Sequence, residues 1–336
     1  MRLPQPRGPL SGQVVAALRR PGDIEPFAHV DVPTPAGGVL DDDDFQLSLW
    51  MLCELHYRGF DDVADHEWDP AAIRLRRRLE AGFEGELRRR TSAHVRHALH
   101  RGDGLVEQVS ILTDALEGPS VAGFLQREAT IEQIRDFMAQ RSLYHLKESD
   151  PHAFVLPRID GRAKTALAEL LYDEYGAGRP DRLHAQMFAD ALKGCGLEPT
   201  YGAYVDRVPA STLAVNNVMS LFGLNRRLRG AALGHLAAFE STSSIPCRRI
   251  AAGIERVGLP DVVAAYFHEH VEADAAHEQI AIRDICGGLV ETEPALLPDV
   301  LFGFAACLYL DLLAGRHLLE SWSQAQPPRP PERGAS

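Results

Sequence analysis

The chain is poor in the features that bind nucleic acid. Lys and Arg number 35 against 47 Asp and Glu, a net charge of −12 over 336 residues, whereas phosphate contacts need clustered cations. Aromatic residues are only 7% of the total, too few for platforms that stack single strands. The five cysteines (Cys53, Cys195, Cys247, Cys286, Cys307) are odd in number, widely spaced and without a CxxC pair. That excludes a disulfide framework and a zinc ribbon. No GxGxxG or GxxxxGK[ST] phosphate loop is present. The longest apolar run, Leu301 to Gly315, is short for a membrane span and contains Asp311. The opening MRLPQPRGPLSGQVVAALRR has no apolar h-region, so it does not read as a secretory signal. A cytoplasmic protein with neither nucleic-acid nor membrane partner is the expectation. Two-residue alternation, hairpin signals and 20–50-residue repeats are all lacking, which points to an all-α fold.

What is present is a series of helical patterns with stop signals. After a Pro- and Gly-rich start, Asp41–Asp44 precede the apolar stretch Phe45 to Phe60, acids ahead of a helix as the dipole favours. A second helix is predicted from Ala71 to about His100, after Asp69-Pro70. It is rich in Arg, but Glu80, Glu84 and Glu86 are interleaved, which predicts a solvated, salt-bridged face and no partner. Glu117 to Ser120 reads as a boundary, so residues 1–118 form a first helical region and 119–324 a second. One long helix is predicted from Val121 to Glu148, stopped by Asp150-Pro151. Further helices are predicted over 161–175, from 180 to about 194, over 211–222 and 225–243 divided by Gly223, over 248–257, from Pro260 past His277, and from 294 to 322. The Pro-rich tail, 325–336, is predicted to be disordered.

The sharpest local feature is FHEHVEADAAHEQIA, Phe267 to Ala281. His270, Asp274 and His277 stand at i, i+4 and i+7, one face of a helix. Two imidazoles and a carboxylate suit iron, manganese or zinc. Helical metal sites draw ligands from facing helices, and four polar residues stand on otherwise apolar stretches: Glu148, Glu174 in LLYDEYGAG, His184 in RPDRLHAQMF, and Glu240 in GAALGHLAAFE. A carboxylate on a helix as apolar as the last needs a partner or a metal.

The ordered set Glu148, Glu174, His184, Glu240, His270, Asp274, His277 resembles the ligand pattern of the haem-oxygenase-like diiron oxidases and oxygenases, whose last motif is HxxxDxxH. The phrases LKESDPH, DEYGAG and GHLAAFE are similar to those of iron-containing redox enzymes of this superfamily, over about Val121 to Trp322. The resemblance implies a haem-oxygenase-like helical bundle with an N-terminal extension and two iron ions held by those seven residues. It implies O2 as co-substrate and an external electron donor. Glu240 occupies the place of an extra Glu that nitrogen-oxidising members share. The implied reaction is therefore N-hydroxylation of an amine or guanidine in specialised metabolism, on to nitroso or nitro products in some members, with Glu240 catalytic. A desaturase or C–C cleaving oxidase on the same fold, and a non-catalytic helical binding protein, are the alternatives. The implied substrate is a small amine or amino acid. Asp206, Arg226, Arg227 and Arg229 read equally as contacts to such a substrate and as surface or helix-pairing charges. Asp181, one turn before His184, is a candidate to support the ligands.

Two other groupings are weaker. His94, His97 and His100 have ligand spacing but no acidic neighbour, and read as exposed. Glu54 and His56 are two apart, so a helix points them in opposite directions. That segment, with Cys53, reads as packing that holds the N-terminal region. No cysteine has a nucleophile's surroundings. By analogy with relatives, the apolar helix of the first region is expected to support a homodimer.

Overall fold

The computed structural model describes residues 1–20, 27, 30–32, 37–61, 63 and 66–325, the side chains of 272–276 and 325 excepted. The predicted disordered tail from 326 onward lies outside the described residues. Every regular element among the described residues is helical.

Four helices form the first region: α1 (Pro9–Leu18), α2 (Asp43–Glu54), α3 (Pro70–Arg101) and α4 (Leu105–Ala115). Asp42 caps α2 by accepting the Phe45 N–H at 2.7 Å. The helix ends at Glu54 and not at Phe60, and from Phe45 to Glu54 it is buried throughout. It packs on α10 and α1 within the same chain. Its apolar side chains are thus covered already, and the motive for a homodimer through this helix is gone. Asp69 caps α3. Its arginines are paired as predicted, Arg76 with Glu80 (3.1 Å), Arg88 with Glu84 (2.8 Å) and Asp299 (2.9 Å), and Arg90 with Glu86 (2.8 Å), but the face is not solvated throughout, because Arg76, Glu80 and Glu84 are buried against the rest of the chain.

Glu54 performs the anchoring role expected of its segment. Its buried carboxylate pairs with the fully buried Lys147 ammonium and accepts the Tyr201 hydroxyl at 2.8 Å. Lys147 also lies 4.2 Å from the Tyr57 ring centre. One contiguous apolar core therefore runs from the first helices into the rest.

The bundle comprises α5 (Val121–Arg127), α6 (Ile131–His145), α7 (Asp150–Ala153), α8 (Gly161–Glu174), α9 (His184–Gly194), α10 (Ala210–Leu224), α11 (Arg229–Thr242), α12 (Ser244–Arg256), α13 (Asp261–Gln279), α14 (Gly287–Thr292) and α15 (Leu297–Ala325). A π-helical turn, Ile280–Cys286, joins α13 to α14. The single helix predicted from Val121 to Glu148 is in fact two. Thr130 and Gln133 form a capping box that restarts the chain as α6, and α6 stops at His145, so Glu148 stands in the turn beyond it. Gly223 does not divide helices either. It lies inside α10, where a Cβ would press on the Pro151 carbonyl.

The closest helix crossing is α11 on α15. A Cβ at Gly234 would enter the Val300 carbonyl, and one at Gly303 the Ala231 carbonyl, so two glycines let the backbones touch. α15 is long and apolar enough to cross a membrane by length and composition, a longer element than its sequence run suggests, and half of its apolar window is buried in the fold. Gly234→Val or Gly303→Val should each lower unfolding free energy by about 3 kcal/mol, since the helices must separate. The double variant should lose less than the sum, because both report on one crossing. Urea midpoints check this, and an unchanged midpoint in either single variant contradicts it.

Candidate metal centre

The site begins with a helix break. α8 ends at Glu174, and the chain folds back through Gly176, Ala177 and Gly178, all in left-handed conformation (φ 74°, 53° and 78°). Gly176 is required twice over, because a Cβ there would lie 2.6 Å from the Arg182 carbonyl carbon and the Leu183 nitrogen. The loop delivers His184 as the first residue of α9, with Nδ1 3.0 Å from Glu174 Oε2. Ten residues of sequence separation thus become one contact.

Around that pair the bundle closes two clusters. In the first, single donor atoms of Glu148, Glu174, His184 and His270 all lie within 4.8 Å of one another. In the second the same holds for Glu174, Glu240 and His277. Glu174 belongs to both, and its two oxygens serve different sides. Oε2 faces His184, while Oε1 lies 3.6 Å from His277 Nδ1. Glu240 Oε2 is 3.3 Å from the same nitrogen.

The histidines are pre-set as ligands. His270 Nδ1 lies 2.9 Å from the Tyr266 carbonyl, which can only accept. Nδ1 therefore carries a proton, and Nε2 is turned to the cluster, 3.7 Å from Glu148 Oε1. His277 presents Nδ1 inward while Nε2 lies 3.5 Å from Asp173 Oδ2. His184 Nδ1, His270 Nε2 and His277 Nδ1 are buried yet have no hydrogen-bond partner of good geometry. Orphaned ring nitrogens aimed at clustered carboxylates fit a metal centre, and the N/O donor set without thiolate fits iron.

In the metal-free protein the same carboxylates set the protonation of the histidines. Burial opposes the His270 imidazolium, but Glu148 and Glu174 outweigh it and raise its pKa to about 10. Burial likewise opposes His277, and Glu240 and Glu174 raise it to about 9. Burial alone would lift the Glu148 carboxyl, yet His145 and His270 hold it well below the usual carboxylate range. Without metal, the protein gains stability from the two histidine pairings fully below pH 6.5 and loses it as pH rises through 9 to 10. Metal must displace those protons. Fe(II) loading at pH 7.5 should release the His270 and His277 protons, with the release falling as pH rises through 9 to 10. An indicator-dye titration in weak buffer reads this, and loading without proton release at pH 7.5 contradicts it.

Six of the seven sequence-predicted ligands therefore converge: Glu148, Glu174, His184, Glu240, His270 and His277. The Asp274 side chain lies outside the described residues. The other candidates do not join the site. Asp181 is exposed and pairs with Arg179 at 3.3 Å. Asp206 accepts the Gln5 N–H, Arg226 is exposed, Arg227 pairs with Glu84 and Arg229 with Glu293, so these charges hold the fold together or face solvent. His97 and His100 are exposed and His94 half-exposed, as expected.

Sequence reasoning missed Tyr266 and His145. The Tyr266 hydroxyl sits 3.0 Å from Glu148 Oε2 and 2.6 Å from His145 Nδ1. The signals were helical spacing: Tyr266 is four before His270, and His145 three before Glu148. Beyond the carboxylates lies a cavity of about 130 Å³, walled by Tyr144, Leu236, Phe239 and Ile250 and reaching Arg141 and Asp311.

A family model described as an iron-containing redox enzyme matches residues 135–312. The nitrosourea synthase of Streptomyces achromogenes subsp. streptozoticus is 26% identical over 228 residues, 67% of this chain. The match covers only 48% of that protein, so the chain spans about half the length of this curated relative. Among solved structures, a CADD-like protein of unknown function from Nostoc punctiforme is similar with a TM-score of 0.48 and 16% identity, over 70% of this chain and 98% of that one.

Proposed function

The chain belongs to the iron-containing redox enzymes, and we propose that within them it is a diiron oxygenase acting on an amine or guanidine nitrogen of a small amino-acid-like substrate. The single observation that carries the two-iron reading is Glu174, whose two oxygens face different histidines in two clusters. Glu148, His184 and His270 would hold one ion and Glu240 and His277 the other, with Glu174 shared. Asp274 is a further ligand candidate by sequence. Iron bound there would supply the redox chemistry that activates O2. In balance, one oxygen atom enters an N–H bond to give N–OH, and the other leaves as water with two electrons from an external donor and two protons. The nitrosourea synthase similarity and the place of Glu240 favour nitrogen as the atom oxidised.

The chain's own residues set the conditions. Tyr266 and His145 hold the Glu148 carboxylate, and the Tyr266 carbonyl fixes the His270 ring. Leu236, Phe239 and Ile250 give the cavity beside the carboxylates an apolar wall. Against a non-catalytic helical protein stands the convergence of three buried ring nitrogens and three carboxylates into two clusters with ligand-like spacing.

Anaerobic Fe(II) loading, then O2 with a panel of amines and guanidines and mass spectrometry, tests the reading. A product heavier by one oxygen on nitrogen is expected. Loss of two hydrogens or carbon-chain fragments would assign the desaturase or C–C cleaving alternative instead.

A further inference from the structure

The cavity next to the clusters has two chemically distinct ends. The inner end is carboxylate and imidazole. The middle is apolar, with Phe137, Phe239 and Leu308 among its walls. Among the described lining residues, the charged side chains beyond the clustered carboxylates and the histidines are Arg141 on α6 and Asp311 on α15. They form an ion pair at 2.6 Å, and their side chains are 25% and 50% exposed, so the pair sits where the cavity meets solvent. Among the described residues this is the one hydrogen bond the guanidinium makes, and its remaining N–H donors stay available.

The pair offers one positive and one negative pole side by side. A lone cation there would suit any carboxylate, including that of a fatty acid. The adjoining Asp311 opposes a plain carboxylate and favours a molecule that also carries an ammonium. The volume selects in the same direction. A cavity of about 130 Å³ is close to the roughly 150 Å³ that holds a benzene, so it accepts a side chain of a few heavy atoms and not a long acyl chain. Arg141 is one helical turn before His145, about 6 Å along the axis, and His145 already touches Glu148. A substrate gripped at the outer end therefore reaches the clusters with a short side chain.

Resting on the oxygenase reading above, we propose that the Arg141–Asp311 pair is the head-group clamp of this site. Arg141 takes the α-carboxylate and Asp311 the α-ammonium of a free amino acid, whose basic side-chain nitrogen is presented to the carboxylate clusters. Both are specificity-determining residues and neither touches the reacting atoms.

The test is calorimetric binding to anaerobic Fe(II)-loaded and metal-free protein. The probes are L-arginine and L-lysine, the decarboxylated agmatine and cadaverine, and the α-deaminated 5-guanidinovalerate and 6-aminohexanoate. Wild type should bind at least one of the two amino acids at least tenfold more tightly than both of its truncated forms. Arg141→Gln should erase the preference over the decarboxylated probe, and Asp311→Asn the preference over the deaminated one. Merely loosened packing between α6 and α15 would weaken all probes alike, and the conservative Arg141→Lys should keep part of the preference. Equal binding of intact and truncated probes, no binding of either amino acid, or preferences unmoved by the variants would each overturn the clamp. Iron uptake with no head-group preference removes this inference alone. Head-group preference in a protein that takes up no iron removes the oxygenase reading instead.

Discussion

Glu174→Ala should abolish stable iron binding at both clusters and N-oxidation with it. Among the described residues Glu174 is the side chain the clusters share, with one oxygen facing His184 and the other His277. Removing a group that only supports a ligand costs metal affinity about 10- to 100-fold. Removing a ligand common to two ions should exceed about 100-fold at each, and activity should fall below detection. The helix itself should survive, because α8 is held by the buried Ala163, Leu167, Leu170 and Leu171. Circular dichroism should be unchanged while iron per chain, read by chelator assay after gel filtration, drops from two towards zero. Glu174→Gln should behave as the alanine variant does, since shape without charge does not bridge cations. A Glu174→Ala protein that still holds two irons would take the carboxylate out of the site.

Glu240→Ala should separate the two ions. Glu148, Glu174, His184 and His270 are untouched by it, so the first cluster should keep its iron. The second loses one of its three described members, the carboxylate 3.3 Å from His277 Nδ1. Iron should fall from two per chain towards one, and N-oxidised product by more than about 100-fold, larger than the loss from a supporting residue. His277, no longer beside that carboxylate, should also titrate below its value of about 9 in the metal-free protein. If Glu240 were only a buried structural carboxylate, its removal would leave product unchanged and raise stability. Iron analysis and product assays on the same preparation distinguish the two outcomes.

The site was legible in the sequence to the extent that ligand types are conspicuous on apolar helices. A Glu amid Gly, Ala, Leu and Phe, as at Glu240, has few reasons to be there. The i, i+4, i+7 spacing from His270 fixes a face before any neighbour is known. The all-helical architecture followed from the same periodicity. One failure was local: the break between α5 and α6 rests on the Thr130–Gln133 capping box inside a pattern periodic on both sides, and the end of α6 at His145 leaves Glu148 in a turn. In the others the deciding contact was distant. Gly223 looked like a stop because glycine usually is one, whereas the Pro151 carbonyl is what requires it. For Arg227 and Arg229 a substrate contact and a helix-pairing role stood equally open, because Glu84 and Glu293, which bind them, lie 143 and 64 residues away. The Arg141–Asp311 pair was invisible for the same reason, with 170 residues between its members. Periodicity reports the face of one helix, and only packing reports which faces meet.

The most direct measurement is a crystal of the protein soaked anaerobically with Fe(II) and recorded across the iron absorption edge. The account predicts two anomalous peaks per chain, one on each side of the Glu174 carboxylate, the first within bonding distance of Glu148, His184 and His270 and the second of Glu240 and His277. A single peak, or two peaks that do not share Glu174, would contradict it.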